Sequence, residues 1–91
     1  MPKEGQGPLI EVFSGENCGY CAAAKRLLDE AGLAYVELNV GSDDRNRAEL
    51  LRRLPRIKAV PQVFIDGTHV GGYEDLVLLR EVGRLDAMTG Q

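Results

Sequence analysis

Cys18-Gly19-Tyr20-Cys21 holds the only two cysteines of the chain, two residues apart, between a strand-like run and a helix-like run. A thiol pair at that spacing can close into a small-ring disulfide and open again, which is redox chemistry rather than the stapling of a framework. Half of a metal site and two incidental buried thiols are the competing accounts. A structural zinc ion usually takes four side-chain ligands, and this chain offers two cysteines plus His69.

Ninety-one residues suffice for one domain, 1–91, and leave too little for a second core. A hydrophobic fraction of 44% with 27% charged residues is ordinary for a globular protein. No apolar run approaches the length of a membrane span, and no signal-peptide pattern follows Met1. The expected compartment is therefore the cytoplasm, where a CxxC pair is catalytic more often than architectural. Residues 1–7, polar and glycine-rich, read as a loose N-terminal tail. The net charge of −3, with both signs interspersed, points to neither nucleic acid nor a membrane as partner.

Leu9-Ile10-Glu11-Val12-Phe13 reads as a buried strand, and Ser14-Gly15-Glu16-Asn17 as the turn leading to the cysteines. From Cys18 a helical pattern runs through Ala24, Leu27, Leu28 and Ala31 to a capping Gly32. The first thiol thus lies at a helix N-terminus. Ala34–Asn39 alternates as a second strand. Ser42 is expected to cap a second helix with an apolar stripe of Ala48, Leu51 and Leu54, wet-face arginines at 45, 47, 52 and 53, and a stop at Pro55. Val60–Ile65 is a third strand, and Asp66-Gly67 a hairpin turn into Thr68-His69-Val70. His69 alternates with apolar neighbours there, which makes it structural or solvent-facing rather than catalytic. Gly71-Gly72-Tyr73-Glu74-Asp75 opens a last helix with Leu76, Leu79 and Val82 along one side and Gly83 at its end. Leu85 and Met88 pack back as a short terminal cap.

The order strand, helix, strand, helix, hairpin, helix predicts an α/β fold. It combines a parallel, right-handed βαβ unit with an antiparallel hairpin in one four-stranded mixed sheet, with helices on both faces.

Three motifs in this order resemble the glutaredoxins within the thioredoxin fold: Cys18-Gly19-Tyr20-Cys21, Ala59-Val60-Pro61 and Gly71-Gly72-Tyr73-Glu74-Asp75. The resemblance runs from Leu9 to about Met88. It implies that Pro61 is a cis-proline facing the cysteines and presenting the Val60 backbone to an extended peptide. It also implies a glutathione-dependent thiol–disulfide oxidoreductase that acts on disulfide-containing or glutathionylated proteins. A sulfur at a helix N-terminus is stabilised as the thiolate by unpaired N–H groups and the dipole, which makes Cys18 the nucleophile. Cys21, one turn further in, is the resolving thiol. Glutathione is the implied co-substrate, with Tyr20, Val60, Pro61, Gly72, Tyr73, Glu74 and Asp75 lining its groove. N–H groups at the start of the last helix suit a carboxylate, and Asp75 suits an ammonium.

Three departures from the family pattern bear on redox potential and rate, at Gly19, and on glutathione affinity, at the other two. Gly19 stands where many relatives carry proline, and Ala59 where threonine is usual. The loop before Cys18 lacks the frequent lysine, so Lys58 or Arg56 must supply a cation for the glycyl carboxylate. The protein is expected to be a monomer, dimeric only if Cys18 and glutathione hold a [2Fe–2S] cluster between two protomers. That alternative is open to glutaredoxins lacking the active-site proline. A thioredoxin-like reductase fed by a flavoprotein is the remaining one, disfavoured because the chain has no tryptophan and keeps the Gly-Gly-Tyr-Glu-Asp turn.

Overall fold

A computed structural model describes residues 8–89, so the tail expected at 1–7 lies outside the described residues. The elements follow as β1 (Ile10–Ser14), α1 (Gly19–Glu30), β2 (Val36–Asn39), α2 (Asp44–Arg53), β3 (Gln62–Ile65), β4 (Thr68–Gly71), α3 (Tyr73–Glu81) and α4 (Arg84–Thr89). The four strands form one sheet in the order β2-β1-β3-β4. β1 runs parallel to β2, while β1–β3 and β3–β4 are antiparallel. This is the mixed sheet of the thioredoxin fold, as expected.

Successive side chains of a strand point to opposite faces, so the two inner strands feed two cores. Ile10 and Val12 of β1 join Val63 and Ile65 of β3 against Ala24, Leu27 and Leu28 of α1, Leu76 of α3 and Leu85 of α4. On the other face Phe13 and Phe64 pack with Val40 and with Leu50 of α2. Their rings meet edge to face at 5.7 Å.

Local chemistry sets the ends of these elements. After α1, Gly32 takes φ +74°. The Leu33 N–H then reaches back to the Leu28 carbonyl and the Gly32 N–H to that of Asp29, a Schellman motif. Between β3 and β4 both Asp66 and Gly67 adopt positive φ, which a tight two-residue hairpin turn requires. The Asp66 carboxylate accepts the Leu9 N–H at 2.8 Å, tying that turn to the start of β1. Helix α3 stops at Gly83, and Leu85 and Met88 pack back onto the first core.

Three expectations need correction. Asp43, not Ser42, caps α2, its carboxylate accepting the Arg45 N–H at 2.8 Å. Ser42 instead donates its own N–H to Asn39 Oδ1, which also accepts from Gly41. The inward face of α2 is Leu50 with Leu54, whereas Ala48 is exposed and Leu51 is 45% exposed. Along α3, Leu76 and Leu79 face the core but Val82 is 58% exposed.

Arg53 explains the misplaced stripe, because it occupies an inward position instead of the wet face. Its guanidinium lies 4.8 Å from the Phe64 ring centroid and 5.2 Å from that of Phe13. Two of its N–H groups donate to the Glu11 carboxylate at 2.8 and 3.1 Å, and a third donates to Glu49. Hydrogen bonds from Arg52 and then Arg53 hold the Glu49 carboxyl down to about 2.

On the opposite face, buried Ser14 donates to Glu37 Oε2 at 2.6 Å, and Lys25 of α1 donates to the same oxygen at 2.8 Å. The Lys25 hydrogen bond, then that of Ser14, lowers the Glu37 carboxyl below its ordinary value. A carboxyl more acidic in the folded than the unfolded chain stabilises the fold above its unfolded range. That contribution fades as pH falls through its folded value.

Glu37→Gln is therefore expected to lower the denaturant midpoint slightly at neutral pH, with the gap to the parent closing in acid. In the same measurement Leu50→Ala should cost about 2–4 kcal/mol. Leu51→Ala should stay within about 0.5 kcal/mol of the parent.

Candidate active site

The candidate residues gather at one end of the sheet for a topological reason. Phe13, next to the C-terminal end of β1, pairs with Gln62 at the start of β3, and Val63 pairs with Gly71 at the end of β4. The loop after β1, the loop before β3 and the start of α3 therefore meet. Residues far apart in the chain become neighbours there.

Cys18 is the N-cap residue of α1, in an extended conformation, and its sulfur accepts the Cys21 N–H at 3.1 Å. The two cysteines are joined in a disulfide with their Cα atoms 5.2 Å apart. Cys18 is half-buried, whereas Cys21 is 2% exposed. An outer sulfur at a helix N-terminus faces the N–H groups that the first turn leaves unpaired and the positive end of the helix dipole. Both favour an anion on Cys18.

Opposite the disulfide, the Val60–Pro61 bond is cis, as the resemblance implies. The Val60 carbonyl oxygen lies 3.8 Å from the Cys18 sulfur. Gly15, in the turn before Cys18, sits so close to Val60 that an added Cβ would come within 3.0 Å of its side chain. The two loops therefore touch beside the Cys18 sulfur.

An open groove of about 250 Å³ runs from this point, lined by Tyr20, Ala59, Val60, Pro61, Gln62, Gly72, Tyr73, Glu74 and Asp75. Tyr20, 63% exposed, and Tyr73 face each other with ring centroids 5.9 Å apart, so the starts of α1 and α3 meet across it. Gly72 caps α3, and its N–H donates to the Asp75 carboxylate at 3.0 Å. Gly71 has φ +123°, and a Cβ there would overlap that carboxylate. Glycine at 71 thus lets Asp75 fold back over the turn. The N–H groups of the first turn of α3 have no intrahelical partners.

Of the residues singled out from the sequence, seven line this groove and two form the disulfide. Lys58 does not; like Arg56 it is exposed in the loop between α2 and β3. Gln62 lines the groove and was not foreseen. The signal for it was available, since Gln62 is the one amide side chain in an otherwise apolar strand and such a group needs partners when buried. Its amide donates to the Ala59 carbonyl at 3.1 Å and its oxygen faces His69 Nε2 at 2.8 Å. His69 is otherwise exposed, its ring 5.1 Å from that of Phe64, consistent with a structural position. Among the described residues no three His, Cys, Asp or Glu side chains gather as a metal site, and no helix is long and apolar enough to cross a membrane.

Comparison with known proteins gives the same family from sequence and from structure. A family model described as glutaredoxin matches residues 10–70. Glutaredoxin 3 of Escherichia coli K12 is 39% identical over 79 residues, covering 87% of this chain and 94% of the relative. A glutaredoxin of Neisseria meningitidis serogroup B is 41% identical over 80 residues, covering 87% and 93%. Among solved structures, the Brucella melitensis glutaredoxin superposes with a TM-score of 0.78 at 34% identity, covering 96% of this chain and 94% of that one. A buckwheat glutaredoxin–glutathione complex does so with a TM-score of 0.78 at 33% identity, covering 89% and 76%. With its CxxC disulfide at the head of α1, the chain belongs to the glutaredoxin family of thiol–disulfide oxidoreductases.

Proposed function

We propose that the protein reduces protein disulfides and protein–glutathione mixed disulfides, drawing its electrons from glutathione. The carrying observation is that the groove of Val60, Pro61 and the α3 turn opens beside the outer sulfur, Cys18. A buckwheat relative of the same fold has been solved with glutathione, which supports the same ligand here.

In the reduced protein the Cys18 thiolate attacks one sulfur of the substrate disulfide. A Cys18–substrate bond forms, the substrate bond breaks, and the departing thiolate takes a proton from water. Two exits follow. A glutathione thiolate attacks the glutathione sulfur of a Cys18–glutathione mixed disulfide, releasing glutathione disulfide and regenerating the Cys18 thiolate. Alternatively the Cys21 thiolate attacks Cys18, expels the bound thiol and leaves the Cys18–Cys21 disulfide. Two glutathione molecules then reduce it. Burial of Cys21 suits the resolving role, because that sulfur can reach Cys18 but is screened from bulky disulfides.

The groove offers each part of glutathione a partner. The Val60 backbone pairs with the cysteinyl residue, as one strand pairs with another. The N–H groups of Glu74 and Asp75 receive the γ-glutamyl carboxylate, and the Asp75 carboxylate its ammonium. Tyr20 and Tyr73 flank the chain, and Lys58, exposed outside the groove in the neighbouring loop, is the cation left for the glycyl carboxylate. We place the reaction in the cytoplasm, where the glutathione pool is kept reduced.

Turnover of a small glutathione mixed disulfide, coupled to glutathione reductase, tests this reading. Cys18→Ser should fall to the uncatalysed rate. Cys21→Ser should keep mixed-disulfide turnover and lose reduction of protein disulfides; an inactive reduced parent would overturn the assignment. Asp75→Asn retains an acceptor for the Gly72 N–H but removes the charge. It should raise the KM for glutathione about tenfold, the loss expected for one charge-assisted hydrogen bond.

A further inference from the structure

We propose that Gln62 and His69 are positioning residues for the groove. Together they hold the Ala59 carbonyl, and through it the Val60 backbone beside Cys18. The inference rests on the glutathione reading above for its kinetic consequence, but its structural part stands on the hydrogen bonds alone.

Gln62 is 6% exposed at the first position of β3, among Val63, Phe64 and Ile65. A buried amide left without partners costs about 1–3 kcal/mol. Here both ends are satisfied, and in only one sense. The Ala59 carbonyl can accept but not donate, so the Gln62 NH₂ must face it at 3.1 Å. Gln62 Oε1 then points at His69 Nε2, 2.8 Å away, and it too can only accept. His69 must therefore carry its proton on Nε2. The direction of the whole chain, His69 to Gln62 to Ala59, is set by one backbone carbonyl.

The chain is anchored at its outer end. His69 sits opposite Phe64 in the β3–β4 pairing, beside the register shift at Val63 and Phe64, and its ring lies tilted on that of Phe64. Phe64 belongs to the second core with Phe13 and Leu50. Position is thus passed from the aromatic core, through an imidazole and an amide, to the loop that carries Val60. A leucine at 62 could fill the same space without needing partners. What glutamine adds is a directed tether on residue 59, one residue before the carbonyl that lies 3.8 Å from the Cys18 sulfur. Neither side chain touches the sulfurs, so the effect falls on substrate placement.

Three variants test this: Gln62→Met, which removes both bonds; His69→Phe, which keeps a ring on Phe64 but has no N–H; and His69→Gln, which restores a donor. Nitrogen-15 spectra of the parent at alkaline pH, where imidazole is neutral, should show the Nε2–H tautomer of His69. Gln62→Met should relax His69 toward the tautomer mixture of a free neutral imidazole and shift the amide resonances of Ala59 and Val60. In both Gln62→Met and His69→Phe the KM for glutathione should rise about fivefold with kcat within about twofold, the loss of one neutral hydrogen bond expressed as binding. His69→Gln should recover part of it. An Nδ1–H tautomer in the parent would overturn the proposal. So would a lower melting temperature in the variants with unchanged KM and unchanged Ala59 and Val60 resonances. A parent without glutathione turnover would sink the functional reading instead. The tether would then be judged by the tautomer and those two resonances, and their invariance in Gln62→Met would sink it as well.

Discussion

The antiparallel pairing of β1 with β3 is the constraint from which both the core and the site follow. It sets Ile10 opposite Ile65 and Val12 opposite Val63 on one face of the sheet, and Phe13 beside Phe64 on the other. Apolar burial on both faces stabilises this register, because a slip of one residue would exchange the contents of the two cores. The same register places the end of β1 beside the start of β3. The cysteine loop and the Val60–Pro61 loop consequently face each other without any further device.

Two polar clusters lock helices to that central strand from opposite sides. Glu37 gathers Ser14 of β1 and Lys25 of α1, fixing the helix whose N-terminus holds Cys18. Glu11 of β1 receives the Arg53 guanidinium, which also lies over Phe13 and Phe64 and so fixes α2. A charge brought this far inside is costly unless paired, and here two carboxylates and two ring faces offset the loss of water. Gln62 and His69 extend the pattern to the loop that carries Val60. In each cluster, polar side chains from separate elements satisfy one another and so fix how those elements sit together.

The sequence carried most of the architecture because its signals were local. Alternation in Ile10–Phe13, the helical spacing of Ala24, Leu27 and Leu28, Gly32 as a cap and Asp66-Gly67 as a turn each act within a few residues. The second helix was misread for the opposite reason. Counting apolar residues put Leu51 inward, whereas Arg53 occupies part of the buried face, and its tolerance there depends on Glu11, 42 positions away in the chain. Ser42 and Asp43 were equally good caps by type, and Asn39 decided between them by engaging the Ser42 N–H.

The spacing of Cys18 and Cys21, the place of both on a strand-to-helix junction and the three motifs were determined by the sequence alone, since each depends on residue type and short-range geometry. Only the tertiary structure decided how they meet. It made Cys21 the buried sulfur and brought the Val60 carbonyl to Cys18. It folded Asp75 over Gly71, left Lys58 outside the groove and enlisted Gln62 with His69. These are contacts between segments joined through the sheet, and a hydrogen bond or a ring contact across strands depends on register and twist that no single segment encodes.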